Sequence, residues 1–507
     1  MNAAVATPLR EPKVENFDVL VVGAGISGIG AAYHLTTQCP GTRFVVLESL
    51  ESFGGTWLTH KYPGVRSDSD LYTFGYRFKP WTGVPIATAE EILAYMGEVI
   101  DENDLARRIR YRHKIVSAKW SSKDNLWLIE AQRSDTGETL RFTANFLWMC
   151  QGYYRHSEGY TPEWPDMAKY KGQIVHPQTW PEDLDYHGKN VVVIGSGATA
   201  ATLIPAIAAD CGHVTMLQRS PTYFRAARNA NDLADMLREL KIDETWIHEI
   251  VRRKILHDQD AFTRRTFEEP EAVKQELIGA VRDLLGADYD VATHFTPTYR
   301  PWRQRLAFVP DGDLFQGIRS GKASVVTDEI ERFTETGIML KSGTQLEADI
   351  IVTATGLKLV ALGDIQLKVD GRTIDPSKTM NYRGTMYAGI PNLASVFGYT
   401  NASWTLKSEL TCNYICRVLN RMSREGYQVC VPQNDDPSVQ PEPWLNLSSG
   451  YIQRVADKLP KQGSKVPWKL HQNYVKDIIN LRYGSLDDGV IRFLNPTDGL
   501  ELKPAHS

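Results

Sequence analysis

Cysteine is scarce in this chain and follows no pattern. Six are scattered at Cys39, Cys150, Cys211, Cys412, Cys416 and Cys430 among 507 residues. That excludes a disulfide-stapled secreted scaffold, which needs dense cysteines. No pair has the C-x-x-C spacing of a redox-active dithiol. Cys412 and Cys416 are four apart, the spacing of one helix face, and read as buried helix residues. An excess of charge is also missing. The formal net charge of -4 leaves no electrostatic footprint for nucleic acid. Long apolar runs are absent too. The longest mostly apolar stretch, Val19 to Ala32, is interrupted by Gly23, Gly25, Gly28 and Gly30, and is too short to span a bilayer. Met1–Lys13 lacks the apolar segment of a secretory signal. These absences predict a cytoplasmic protein with no transmembrane segment and no nucleic-acid partner.

What the chain has instead is a repeated strand–turn–helix unit. Val19-Leu20-Val21-Val22 reads as a buried parallel strand, because strands covered on both faces show as continuous apolar runs. It runs into Gly23-Ala24-Gly25-Ile26-Ser27-Gly28, then a helix, then a second strand at Phe44–Leu47 that ends on Glu48. Gly23 permits the tight turn, Gly25 lets a pyrophosphate approach the backbone, and Gly28 lets helix pack on strand. Glu48, 20 residues beyond Gly28, stands where an acid accepts hydrogen bonds from a ribose. The pattern recurs at Val191–Ile194 followed by Gly195-Ser196-Gly197-Ala198-Thr199-Ala200. There the second strand, Val214–Gln218, ends in Arg219-Ser220 rather than an acid. A guanidinium at that point suits a 2′-phosphate. One unit with Glu and one with Arg predict two nucleotides, FAD in the first and NADPH in the second.

The chain therefore predicts an α/β fold with two Rossmann-like dinucleotide-binding domains and an inserted helical region. The FAD-binding domain is expected over 1–149 and again over 379–507, and the NADPH-binding domain over 150–228 and 321–378. A helical insert, 229–320, has apolar positions at helical spacing in Leu233, Met236, Leu237 and Leu240. Phe146–Met149 and Asp349–Thr353 are strands that end at small-residue turns, where the chain passes between domains.

At this point the chain resembles the class B flavoprotein monooxygenases, and within them the Baeyer–Villiger monooxygenases, in the bacterial branch that includes the mycobacterial ethionamide-activating monooxygenase. Tyr170, Gly172, His176, Trp180 and Pro181 match one family fingerprint. Gly54, Gly55, Trp57, Tyr62, Pro63, Gly64 and Asp68 match a second, and Asp349 with Ala354-Thr355-Gly356 a third. Leu357 stands where the family often has an aromatic residue. The resemblance implies a flavin monooxygenase that uses NADPH and O₂ to turn ketones into esters or lactones through a C4a-peroxyflavin, and that also oxidises sulfides. It implies cofactor contacts for Gly55, Thr56, Trp57, Asp68, Tyr72, Thr355 and Gly356. It further implies that Arg305 stabilises negative charge on oxygen while Asp68 orients it, with Arg300 and Arg303 as neighbouring alternatives. His176 reads as a histidine that orients a domain linker. Two other activities share parts of the pattern: a flavin-containing monooxygenase acting mainly on N or S nucleophiles, and a flavin-dependent NADPH reductase.

Overall fold

The computed structural model describes residues 14–304, 306–445 and 450–495. Strand β1 (Val14–Val22) alternates between solvent and interior over its first half and is buried throughout its second, the apolar run at Val19–Val22. It leads into helix α1 (Ile26–Gln38), which buries Gly28, Ala31 and Ala32, while Gly30 on its other side lies against the Tyr76 ring. Strand β2 (Phe44–Leu47) lies parallel to β1, with Val19 opposite Phe44 and Val22 opposite Leu47. A short helix, α2 (Leu71–Phe74), follows. Strand β3 (Thr139–Met149) runs parallel to the other edge of β1 and continues antiparallel into Leu126–Arg133 and His113–Ser121. These five strands belong to an eleven-stranded sheet.

After β3 the chain crosses through β4 (Tyr154–Gly159) into a second, five-stranded sheet. Its strands are parallel: β5 (Asn190–Ile194), followed by helix α3 (Ala198–Ile207), then β6 (His213–Gln218). The expected helical insert is built mainly of Asp232–Glu239, α4 (Glu244–Glu268) and Pro270–Leu285. Of its apolar positions, Leu233 and Leu237 pack on the core, while Met236 and Leu240 are 51% and 65% exposed. The short helix α5 (Val291–Phe295) and then α6 (Asp313–Arg319) lead back to the second sheet at β7 (Ala323–Thr327) and β8 (Ile350–Thr353).

The return crossing, β9 (Leu357–Leu359), pairs antiparallel with β4. Strand β10 (Gln366–Val369) then pairs with His113–Ser121 of the first sheet. The chain is thus back in the first sheet before the boundary expected at 378, because Leu367 and Val369 bury their side chains in that sheet's core. Helix α7 (Trp404–Glu425) covers α1 and carries buried Cys412 and Cys416 on one face. No helix among the described residues is long and apolar enough to cross a membrane.

A buried ion pair fastens the helical insert to the first domain. Arg252 of α4 bonds Glu409 of α7 at 3.1 Å, their side chains only 3% and 9% exposed. Its other nitrogen donates to the carbonyls of Tyr72, Thr73 and Gly75. Removing one partner of such a pair leaves a charge without compensation at a cost of about 3–5 kcal/mol. Arg252→Leu is therefore expected to lower the urea midpoint strongly. Adding Glu409→Leu is expected to recover the share due to the stranded carboxylate, but not the three lost carbonyl bonds.

Candidate nucleotide and oxygenation site

The glycines of the first loop fall into two kinds. Gly23 has φ +97, and a Cβ there would sit 3.0 Å from the Cys150 carbonyl oxygen. A Cβ on Gly28 would lie 1.8 Å from the Gly23 carbonyl oxygen. The protein itself forbids side chains at both. Gly25 differs, since its added Cβ would meet nothing closer than Gly55 Cα at 3.8 Å. The open space there fits a group from outside the chain. Gly55, with φ +55, closes over this loop, its own Cβ position 3.3 Å from Gly25 Cα. Gly54 donates to the Ala24 carbonyl at 3.0 Å.

Glu48 ends β2 almost wholly buried. Its carboxylate accepts the Ala24 N–H at 2.6 Å and the Leu50 N–H at 2.9 Å, which holds it rigidly beside the loop. Thr56 opens the short turn of helix that carries Trp57. The Trp57 ring stands edge-on to Phe74 of α2, centroids 5.6 Å apart. Tyr72 is fully buried, and its hydroxyl accepts a hydrogen bond from Arg238 of the insert at 3.0 Å. Asp70 caps α2 by accepting the Tyr72 N–H, and burial pushes its carboxyl up to about 7. Asp68 is half-buried on the same loop, with the Ser69 hydroxyl 3.5 Å from its Oδ1. Arg305 lies outside the described residues.

The second loop repeats the division. Gly195 has φ +126, and a Cβ there would be 2.4 Å from the Ala354 carbonyl oxygen, whereas Gly197 faces nothing within 4 Å. Ala198 begins α3 directly after Gly197. Ser196 shares a hydrogen bond with Thr222 at 2.9 Å. Arg219 and Ser220 are exposed just beyond the C-terminal end of β6, with Glu329 close enough to feel the Arg219 charge.

The two loops are brought together by residues whose pairing no spacing in the sequence signalled. Tyr62 is buried, and its hydroxyl lies near the Thr199 side chain at the start of α3. Gly64 presses on the same helix: a Cβ there would stand 2.6 Å from Ala206 Cβ. Arg66 reaches Asp313 of α6 through two bonds of 2.6 and 3.2 Å. One fingerprint, Gly54 to Asp68, therefore spans from the first nucleotide loop to the second domain.

The other fingerprint marks the crossing. His176 Nε2 lies 3.1 Å from the Gly356 carbonyl oxygen, and its Nδ1 accepts the Gln178 N–H. Its ring lies against Gly159, where an added Cβ would fall 1.9 Å from Cε1. Burial lowers its pKa, which favours the neutral ring. Thr355 donates to the Tyr160 carbonyl at 2.6 Å, and Gly356 turns at φ +103. Leu357, the departure from the family pattern, pairs with Gly159 in the β4–β9 ribbon.

Residues 21–81 match an NAD(P)-binding Rossmann-like domain, and residues 85–255 match a flavin-binding monooxygenase-like family. The FAD-containing monooxygenase EthA of Mycobacterium tuberculosis is 48% identical over 482 residues, covering 94% of this chain and 98% of that protein. A probable FAD-binding monooxygenase, AlmA, of Acinetobacter baylyi is 44% identical over 496 residues, covering 96% and 98%. Among solved structures, an oxidised steroid monooxygenase bound to NADP superposes with a TM-score of 0.72 at 22% identity, covering 95% of this chain and all of that one. The last likeness speaks to fold. Identity near one half along almost the full length of EthA speaks to descent, and the chain belongs to the FAD-containing, flavin-binding monooxygenases.

Proposed function

We propose that this protein is an NADPH- and O₂-dependent Baeyer–Villiger monooxygenase that converts ketones to esters or lactones and also oxidises sulfides. The observation that carries the reading is the pair of glycines, Gly25 and Gly197, that the chain's own packing does not require, one on each of two sheets joined by the fingerprint crossing. FAD is assigned to the first loop, held by Gly23, Gly25, Gly28, Glu48, Gly55, Thr56 and Trp57, with Tyr72 shaping the wall behind it. NADPH is assigned to the second, held by Gly195, Ser196, Gly197, Ala198, Thr199, Arg219 and Ser220, with Thr355 and Gly356 at the crossing. Bound FAD supplies electron transfer and the activation of O₂. Arg305 is assigned to negative charge on oxygen, because a guanidinium stays protonated at any working pH. Asp68 is assigned to orienting it by a charge-assisted hydrogen bond. Six free, buried cysteines suit a reducing compartment, and we place the protein in the cytoplasm.

The test is turnover of the FAD-loaded enzyme with NADPH, O₂ and either cyclohexanone or thioanisole. Lactone formed one-for-one with NADPH is expected. Sulfoxide with no lactone would mean that the protein acts on soft nucleophiles alone, and NADPH oxidation without either product would overturn the ketone and sulfide reading. Arg219→Ala removes a hydrogen bond to a charged group worth roughly 1.5–3 kcal/mol, which is on the order of ten- to hundredfold in NADPH affinity. NADH binding is expected to stay unchanged; equal losses for both nucleotides would make Arg219 structural.

A further inference from the structure

Gln218 closes β6 in the place where a dinucleotide fold that binds NADH carries its acid. Its side chain is buried and turned toward its neighbours. Nε2 donates to the His294 carbonyl at 2.7 Å and to the Thr327 hydroxyl at 2.9 Å. Only a nitrogen can face the His294 carbonyl oxygen, so the amide orientation is fixed. Thr327 stands opposite Gln218 in the β6–β7 register, and its Oγ1 lies 2.9 Å from His294 Nδ1. A hydroxyl that accepts from Gln218 keeps its own proton, and giving that proton to His294 Nδ1 places the proton of the neutral ring on Nε2. Nε2 makes no hydrogen bond to any described residue, and the ring is half-exposed. Burial lowers the His294 pKa while Asp290 opposes the shift.

We propose that His294 is a second anchor for the 2′-phosphate of NADPH, donating through Nε2 beside Arg219. The proposal rests on the assignment of NADPH to this domain. Gln218, one residue before Arg219, ties α5 to the C-terminal end of β6, so His294 and Arg219 stand at the same end of the sheet. The acids around this end have other engagements. Asp290 accepts the Thr293 N–H within its own helix. Asp328 accepts from Glu329 and Ser342 backbone N–H groups. Glu329 pairs with Lys341 at 2.6 Å. Glu329 alone is offset by a cation; Asp290 and Asp328 keep their charge, engaged by N–H donors, and Arg219 and His294 are the donors that an anion would meet at this strand end.

The test is calorimetric titration of the FAD-loaded enzyme with 2′,5′-ADP and with 5′-AMP, which differ by the 2′-phosphate alone. In His294→Asn the amide oxygen still accepts from Thr327, but the outer donor is gone. In His294→Gln an amide nitrogen stands near the place of Nε2. His294→Asn is expected to bind 2′,5′-ADP about tenfold more weakly, as for one hydrogen bond to a charged group, with 5′-AMP unchanged. His294→Gln is expected to recover most of the loss. Wild-type affinity for 2′,5′-ADP in His294→Asn would overturn the proposal, as would equal weakening of both ligands. If Arg219→Ala alone discriminates between them, the NADPH assignment stands and the role of His294 falls. If the wild-type enzyme binds the two ligands alike, both fall.

Discussion

A Gly25→Val protein is expected to fold and to emerge from purification without FAD. The residue is extended, with φ -74 and ψ -174, a conformation open to any L-amino acid. Its added Cβ meets no protein atom closer than 3.8 Å. What the side chain fills is the space through which a pyrophosphate reaches backbone N–H groups at the start of α1. Loss of visible flavin absorbance with an unchanged far-ultraviolet dichroism spectrum is the expected pair of readings. Gly28→Val serves as the contrast. Its Cβ would collide with the Gly23 carbonyl oxygen at 1.8 Å, so flavin and fold are expected to be lost together. A Gly25→Val protein fully loaded with FAD would refute the assignment of the first unit.

Arg305→Ala is expected to separate NADPH consumption from ester formation. Removing one donor aimed at developing oxyanion charge typically costs about 10²–10³ in rate. Ketone conversion is expected to fall by that factor, with FAD content unchanged and NADPH oxidation continuing, its oxygen now recovered as hydrogen peroxide. The neighbouring arginines make the controls. Arg300 donates to the Thr266 carbonyl at 3.0 Å and lies over the Phe267 ring at 3.9 Å. Arg300→Ala is therefore expected to loosen the end of α4 and to leave the ester-to-peroxide ratio alone. Arg303 is exposed at its turn, and Arg303→Ala is expected to keep normal ester formation. If Arg303→Ala loses ester while Arg305→Ala keeps it, the role belongs to Arg303. If all three variants keep it, the oxyanion partner lies on another segment.

Both nucleotide units were legible because local chemistry dictates them. Val19–Val22 and Val191–Ile194 are covered on both faces, so they show as unbroken apolar runs. Gly23, Gly28 and Gly195 answer to atoms that the turn itself brings near or that any such fold supplies. The first half of β1 was not legible, since it alternates with solvent at the sheet's edge. Gly64, Gly159 and Gly172 carry no local reason for lacking a side chain. Their constraints come from Ala206, His176 and the Asp349 carbonyl, which only the tertiary fold brings near. The same holds for Arg66 and Asp313, separated by 247 positions, and for Gln218, whose neighbours His294 and Thr327 arrive from two other elements. The return to the first sheet at β10 carries little local signal, because four residues of alternating pattern are short beside the strands around them.

The two crossings between the sheets lie side by side, and Tyr160 N–H bonds the Gly356 carbonyl at 3.0 Å. The whole second domain thus leaves and rejoins the first at neighbouring points. Under tension applied along the chain, such an arrangement acts as a short circuit. The β4–β9 ribbon carries the load from one side of the first domain to the other, and nothing between Tyr160 and Gly356 is stretched while the ribbon holds.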